Sequence, residues 1–182
     1  MAVRDDFSAG EVLAAADLND TFAAKLDIAG GRVLQVVSTT KTDTFSTTSA
    51  TYTDVTGLNA TITPTLATSK ILVIADIALN PSNNTISYAQ ILRDSTAVGG
   101  GTAVGNRRSA AKSLYLSTSG TKLTTTTAFH FLDSPATTSS TTYKIQVAIN
   151  SATLNINTTL NDSDNADRPR TSSSLTLMEI SA

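Results

Sequence analysis

The chain of 182 residues contains no cysteine, no tryptophan and only one histidine. Without cysteine, neither disulfide bonds nor thiolate chemistry is available to the protein, whatever compartment it occupies. A single histidine, His130, leaves no multi-histidine metal site within one chain. Because His130 shares one face of a predicted strand with Ala128 and Leu132, we expect it to be a structural or surface residue.

Charge is scarce as well, since 15% of the residues are charged and the formal net charge is −2. Nucleic-acid binding needs lysines and arginines clustered on one face, and Arg107 and Arg108 are the only adjacent basic pair. The sequence has no apolar run of about 18 residues and no basic leader followed by an apolar stretch. We therefore expect synthesis in the cytoplasm, with no nucleic-acid partner and no membrane insertion.

Aromatic residues make up only 5% of the chain, although 40% of the residues are hydrophobic. The interior must then be built mostly from isoleucine, leucine and valine, because the large aromatic side chains that dominate many cores are rare. We expect a core that is thin or shared between chains, and a shared core implies oligomerisation.

What the sequence has in abundance is threonine and serine, which together form about 29% of the residues. Threonine suits a pleated, half-exposed surface. About nine or ten short segments alternate with period two and are separated by turn residues, without helical patterns between them. The sequence therefore predicts a mainly β fold over residues 32–182: an antiparallel β-sandwich of the jelly-roll kind.

Several strands of this sandwich can be assigned from their patterns. Tyr143 to Ile149 alternates without a break, and Ile71 to Leu79 is apolar enough to be a central strand. Asp76 within that segment is expected to be buried and to need a hydrogen-bonding partner or a subunit interface. Thr44 to Thr48 and Thr51 to Val55 suggest a hairpin, and Val33 to Val37 suggests a buried strand.

The first 31 residues have a different character. Ser8 and Glu11 fit a capping box at a helix start, and Gly30-Gly31 ends the helical pattern. Such a helix is only marginally stable alone, so it packs either on the β-domain of its own chain or on other copies or a docking protein. An apolar stripe at three- and four-residue spacing runs between the two signals: Ala15, Leu18, Phe22, Leu26 and Ala29.

The N-terminal string FSAGEVL, at residues 7–13, followed by ADLN at 16–19, resembles the start of many tail-fibre and virion structural proteins of tailed bacteriophages. Further strings resemble, in order, a family of small virion structural proteins met in phages of marine and freshwater bacteria. One departure is Ala14, where family members often carry a threonine that would cap the helix. The strings are GRVLQVVSTTKTDTFSTTSATYTDVTGLNATITP (31–64), SKILV (69–73), LRD (92–94), GNRR (105–108), FLDSPATTSSTTYKIQV (131–147), DSDNA (162–166) and SSLTLMEI (173–180).

The resemblance implies a non-enzymatic fibre or spike subunit of a virion, made in the cytoplasm of a host bacterium and usually trimeric. Residues 1–31 would then attach the chain to the tail, baseplate or capsid, and residues 32–182 would form an outward knob that binds a host surface glycan or protein. The alternative is a capsid or tail decoration protein, such as a head fibre, that reinforces the particle and binds no receptor. The attachment and oligomerisation residues would be Phe7, Leu13, Leu18, Phe22 and Leu26.

Two polar loops are candidate ligand-contacting sites. Arg107 and Arg108 end a glycine-rich loop that lacks the ending of a phosphate-binding loop. They could pair with acidic residues of the second loop or contact an acidic partner. That loop, residues 161–167, offers oxygen ligands at alternating positions, as calcium prefers, but it lacks the glycine and glutamate of an EF-hand. It is expected to be a polar surface loop, a calcium site or a glycan-contacting loop through Asn161, Asp162, Asp164 and Asp167.

No arrangement in the sequence indicates catalysis. A glycan-cleaving spike would need a pair of carboxylates held at a fixed separation, and no such pair is evident. We expect no enzymatic activity and no cofactor.

Overall fold

Two antiparallel β-sheets form the fold in the computed structural model, which describes residues 31–82, 84–117 and 124–182. No helix long and apolar enough to cross a membrane occurs in these ranges. The strands are β1 (Val33–Lys41), β2 (Phe45–Thr47), β3 (Thr53–Ile62), β4 (Lys70–Pro81), β5 (Thr85–Arg93), β6 (Thr96–Val98), β7 (Lys112–Leu116), β8 (Thr126–Asp133), β9 (Thr141–Ile149), β10 (Leu154–Ile156) and β11 (Ser173–Ile180).

The order of the strands is that of a jelly roll. The first sheet places β1, β11, β4 and β8 side by side, with the short β10 and β2 paired at the far end of β4. The second sheet runs β3, β9, β5, and then β7 and β6 on the remaining edge of β5. The long pairings are first strand with last, then inward: β1 with β11, β3 with β9, β4 with β8, and β5 with β7. This winding confirms the predicted jelly-roll sandwich.

The core lies between the sheets and is filled by side chains that alternate along each strand. In β9, Tyr143, Ile145, Val147 and Ile149 are fully buried, as the alternation predicts. The apolar β4 is central because β11 and β8 pair with opposite edges of it. The sandwich fills its interior with its own aliphatic side chains, so the scarcity of aromatic residues does not leave this interior incomplete.

Three local predictions are wrong. Residues 44–48 and 51–55 form no hairpin, because β2 pairs with β10 in the first sheet whereas β3 pairs with β9 in the second. Val33 to Val37 is not a buried strand, since β1 is an edge strand with partly exposed valines. Asp76 is not buried within the sandwich either: it is exposed on the outer face of β4, and its alternative placement at a subunit interface stays a prediction.

Each buried charged side chain of the described residues has hydrogen-bonding partners. Glu179 is fully buried and accepts hydrogen bonds from the Gln35 amide (2.6 Å) and from the backbone N–H and hydroxyl of Thr65 (both 2.7 Å). Burial alone would raise the pKa of Glu179, but these hydrogen bonds outweigh it and lower the pKa to about 2. At another buried position, Asp133 accepts from Arg93 and from the Tyr143 hydroxyl.

The N-terminal segment joins the sandwich at Gly31, whose backbone N–H donates to the carbonyl of Ser181 (2.7 Å). The predicted helix, its apolar stripe and the attachment residues all lie outside the described residues. The helix and the proposed role of residues 1–31 therefore remain predictions.

Candidate functional site

A long ordered loop covers part of the outer face of the second sheet. It connects β6 to β7 through residues 99–111 and contains the predicted pair Arg107 and Arg108. Three contacts fix it: Gly101 N–H to the Ala110 carbonyl (3.2 Å), Ala111 N–H to the Ala89 carbonyl (2.9 Å), and the Tyr52 hydroxyl to the Ser109 carbonyl (2.6 Å). Loops of this length in a small domain are uncommon without a function.

Arg108 is held in place by two aromatic rings. Its guanidinium carbon lies 4.8 Å from the ring centre of Tyr88 and 5.6 Å from that of Tyr52. Its Nη1 also donates to the Ala50 carbonyl at 2.5 Å. Burial raises the pKa of the Tyr52 phenol, although Arg108 acts in the opposite direction. The phenol therefore stays protonated and can donate to the loop, so ring and loop fix the arginine together.

Beside Arg108 lies an open cleft of about 490 Å³, here named the cationic cleft. Arg107, Arg108 and Lys112 contribute three positive charges, and no carboxylate occurs among the lining residues that the structure describes. This volume falls in the range of small-ligand sites, roughly 300–1,000 Å³. The cleft is lined by Tyr88, Gly101, Thr102, Arg107, Arg108, Ala110, Ala111, Lys112 and Ser113.

The second predicted loop, with the residues that follow it, carries three aspartates and two arginines. Asp162 pairs with the Arg170 guanidinium at 2.8 Å, and this hydrogen bond lowers the pKa of the Asp162 carboxyl. Arg168 donates to the carbonyl of Asn161 at 3.2 Å. Both arginines, together with Asp162 and Asp164, line a cavity of about 340 Å³. Asp162 is therefore paired with a cation that lies a few residues further along the chain.

The structure does not bring the two predicted loops into one site. Arg108 contacts Tyr52, Tyr88 and Ala50, and Asp162 contacts Arg170 instead of Arg107 or Arg108. Asp167 lies in the same loop as Asp162, and its backbone N–H donates to the Asn165 side-chain oxygen at 3.2 Å. Within the described ranges, no group of three or more histidine, aspartate or glutamate side chains could hold a metal ion.

A row of apolar residues crosses the outer face of the first sheet. Each residue is the direct cross-strand partner of the next, and one comes from each long strand: Val36 on β1, Met178 on β11, Leu72 on β4 and Leu132 on β8. Val36 and Leu132 are 54% and 47% exposed, and the two between them are partly exposed. We call this set the apolar row. His130, which faces the same way, is exposed as predicted.

Sequence reasoning found the two arginines of the cationic cleft but missed Tyr52, Tyr88 and Lys112. The alternation along β5 does place Tyr88 opposite the core-facing residues. Nothing local indicates that Arg108, 20 positions later, returns to that ring, because the contact depends on the path of the loop.

No family model matches the chain, and no curated protein matches it. Solved structures of infectious bursal disease virus proteins are similar. A D431N mutant VP2 in T=1 particles is 14% identical with a TM-score of 0.41, over 80% of this chain and 36% of that one. A structure of the Gx strain of that virus is 18% identical with a TM-score of 0.42, over 81% of this chain and 37% of that one. VP2 in a subviral particle is 13% identical with a TM-score of 0.41, over 80% of this chain and 39% of that one. This chain thus spans less than two fifths of each, and such likeness implies no shared function.

Proposed function

We propose that this chain is a non-enzymatic structural subunit of a tailed-phage virion: a homotrimeric tail-fibre or spike subunit attached to the particle through residues 1–31. The observation that carries the proposal is the apolar row, which lies on the sheet that receives the N-terminal segment. Gly31 is hydrogen-bonded to Ser181, directly after β11, and β11 supplies Met178 to the row.

Two apolar surfaces support this proposal. One is the apolar row, and the other is the stripe that the sequence predicts at Leu18, Phe22 and Leu26. Burial of apolar surface is worth roughly 25 cal/mol per Å², and contiguous exposed apolar patches on a β-face are typical of interaction sites. Identical copies bury matching patches most simply in a closed cyclic assembly.

The jelly-roll winding and the ordered phage-like strings support the same proposal. Jelly rolls are common in viral coat and lectin-like domains, although the fold alone does not assign a function. The strings that resemble virion proteins extend through β1, β4, β9 and β11, so the resemblance covers the sandwich as well as the N-terminal segment.

Adhesion to the host is the proposed role of the sandwich. The cationic cleft opens on the second sheet, away from the apolar row of the first, so a subunit attached by one sheet presents the cleft on the other. Three cleft copies per trimer, and many trimers per particle, raise the effective affinity for a surface receptor even when each site is weak.

The proposal is tested with particles assembled from full-length variants. The stripe variant L18Q/F22Q/L26Q should be lost from purified particles, whereas the matched variant D20Q/A24Q/D27Q, on the opposite side of the predicted helix, should be incorporated normally. Equal incorporation of both variants would refute attachment through the stripe.

Gold labelling of the β6–β7 loop on intact particles separates the two structural roles. Accessible, distal label supports adhesion. Label that reaches the loop only in disrupted particles supports a capsid or tail decoration protein that reinforces a joint and binds no receptor.

A further inference from the structure

We infer that the cationic cleft is a binding site for an anionic saccharide, one that carries a carboxylate or a phosphate on its sugar rings. This inference rests on the proposed function, because it names the class of host-surface ligand that the subunit would bind.

The charge of the cleft selects an anion. The protein as a whole has a net charge of −2, yet Arg107, Arg108 and Lys112 all line this cleft, and none of the described residues that line it is acidic. Arg108 is prearranged by Tyr52, Tyr88 and the Ala50 carbonyl, so little side-chain entropy is lost when it meets a ligand. A guanidinium presents parallel N–H donors to carboxylates and phosphates.

The surroundings of the cleft suit sugar hydroxyls. Thr102 and Ser113 contribute hydroxyl groups to the lining, and both are exposed. On the same outer face, two residues after Tyr88, Gln90 donates to Gln146 at 2.7 Å. Side-chain amides and hydroxyls both donate and accept hydrogen bonds, as sugar hydroxyls require.

A long polyanion such as nucleic acid fits this surface less well. Asp54 on β3 accepts hydrogen bonds from Lys144 (2.7 Å) and Gln146 (2.6 Å), which both lie on β9, the strand next to β5. Those hydrogen bonds lower the pKa of Asp54, so its carboxylate stays ionised and offsets the positive charge of Lys144. Nucleic-acid sites instead extend positive charge along the path of the backbone. The positive region here is confined to one cleft.

The experiment measures saturable binding of defined probes to the full-length chain by isothermal titration calorimetry. Trigalacturonate supplies carboxylates, glucose 6-phosphate supplies a phosphate, neutral galactotriose controls for the sugar rings, and a thymidine oligonucleotide tests nucleic acid. We expect one or both anionic sugars to bind and the neutral trisaccharide to bind at least about tenfold more weakly. Whichever anionic sugar binds more tightly identifies the source of the negative charge.

The variant R107Q/K112Q removes two cleft charges without touching the Arg108–tyrosine packing. It should weaken binding of the anionic sugar at least about tenfold. The matched variant R32Q/K70Q removes the same charge from exposed positions on the first sheet, and it should change the affinity less than about twofold.

Three results would overturn the inference: equal binding of neutral and anionic sugars, equal losses in both variants, or tighter cleft-dependent binding of the oligonucleotide. Absence of saturable binding of both anionic sugars up to about 10 mM would do so as well. If the natural chain is still incorporated into particles and the stripe variant is not, any of these results refutes the ligand assignment alone. The proposed function is refuted separately, by equal incorporation of the stripe variant and its matched control.

Discussion

Replacement of the buried Glu179 by glutamine tests how the hydrogen bonds of this carboxylate hold neighbouring segments of the sandwich together. The carboxylate joins β1, β11 and the chain that follows β3, through Gln35 and Thr65. In E179Q the amide group places N–H donors against a site that presents three donors, so at least one hydrogen bond is lost and two donors face each other.

The magnitude follows from the pKa of Glu179. Its hydrogen bonds lower the pKa from the ordinary 4.5 to about 2. Each pKa unit corresponds to about 1.4 kcal/mol, so the ionised form stabilises the fold by about 3 kcal/mol at neutral pH. Because the folded-state pKa is depressed, this contribution is present above about pH 4.5 and is lost as the pH falls towards 2.

Urea unfolding followed by far-ultraviolet circular dichroism measures the effect, at one protein concentration because self-association would also shift stability. We expect E179Q to be about 3 kcal/mol less stable than the natural chain at pH 7, and the difference to shrink towards zero near pH 2. The control D76N removes a carboxylate from the exposed outer face of β4 and should change stability by less than about 0.5 kcal/mol. A difference for E179Q that does not depend on pH would refute the reasoning.

Two further predictions use internal controls. Y143F removes the hydroxyl that donates to the buried Asp133 carboxylate at 2.7 Å, and it should lower the free energy of unfolding by about 2 kcal/mol. Y115F, at a residue that is 57% exposed, should leave the free energy of unfolding almost unchanged. Equal losses in the two variants would contradict this account of the buried network. G99A should lower the thermal midpoint, because the residue has φ 69° and a Cβ there would lie 2.8 Å from the Phe131 ring, whereas G101A meets no atom within 4 Å. A calorimetric scan in which both alanine variants melt together would show that the positive φ and the close approach do not matter.

The strands of this fold could be predicted from sequence because their alternation is local. Tyr143 to Ile149 shows its buried face directly, and β4 is apolar enough to be central. Pairing is not local: in a jelly roll the first strand joins the last, as Val36 and Met178 do. The predicted hairpin at residues 44–55 failed for this reason, since its two halves cross to different sheets.

Asp76 failed for a different physical reason. The run from Ile71 to Leu79 is apolar at nearly every position, which is typical of a strand covered on both faces. The structure shows that the outer face is only partly covered, so Leu72 and Ile74 are partly exposed and Asp76 reaches solvent. The outward apolar residues of this strand belong to the proposed interaction surface, and hydrophobicity alone does not distinguish such a surface from a second buried face.

The candidate site was half predictable. An adjacent arginine pair in a glycine-rich loop can be seen in the sequence, and so can a run of acidic residues. Their partners cannot be seen in the sequence, because Tyr88 and Lys112, which line the cationic cleft, and Tyr52, which contacts Arg108, come from three separate segments. Charge compensation is hidden in the same way, since Arg170 pairs with Asp162 only through the fold of their loop.

The central claim is that this chain functions as an assembly of identical copies. Sedimentation velocity of the full-length protein tests it directly, because one chain has a mass of 18.9 kDa. The account predicts a single species of three times that mass, which dissociates in L18Q/F22Q/L26Q and persists in D20Q/A24Q/D27Q. A species of 18.9 kDa at every concentration, with the natural sequence, would contradict it.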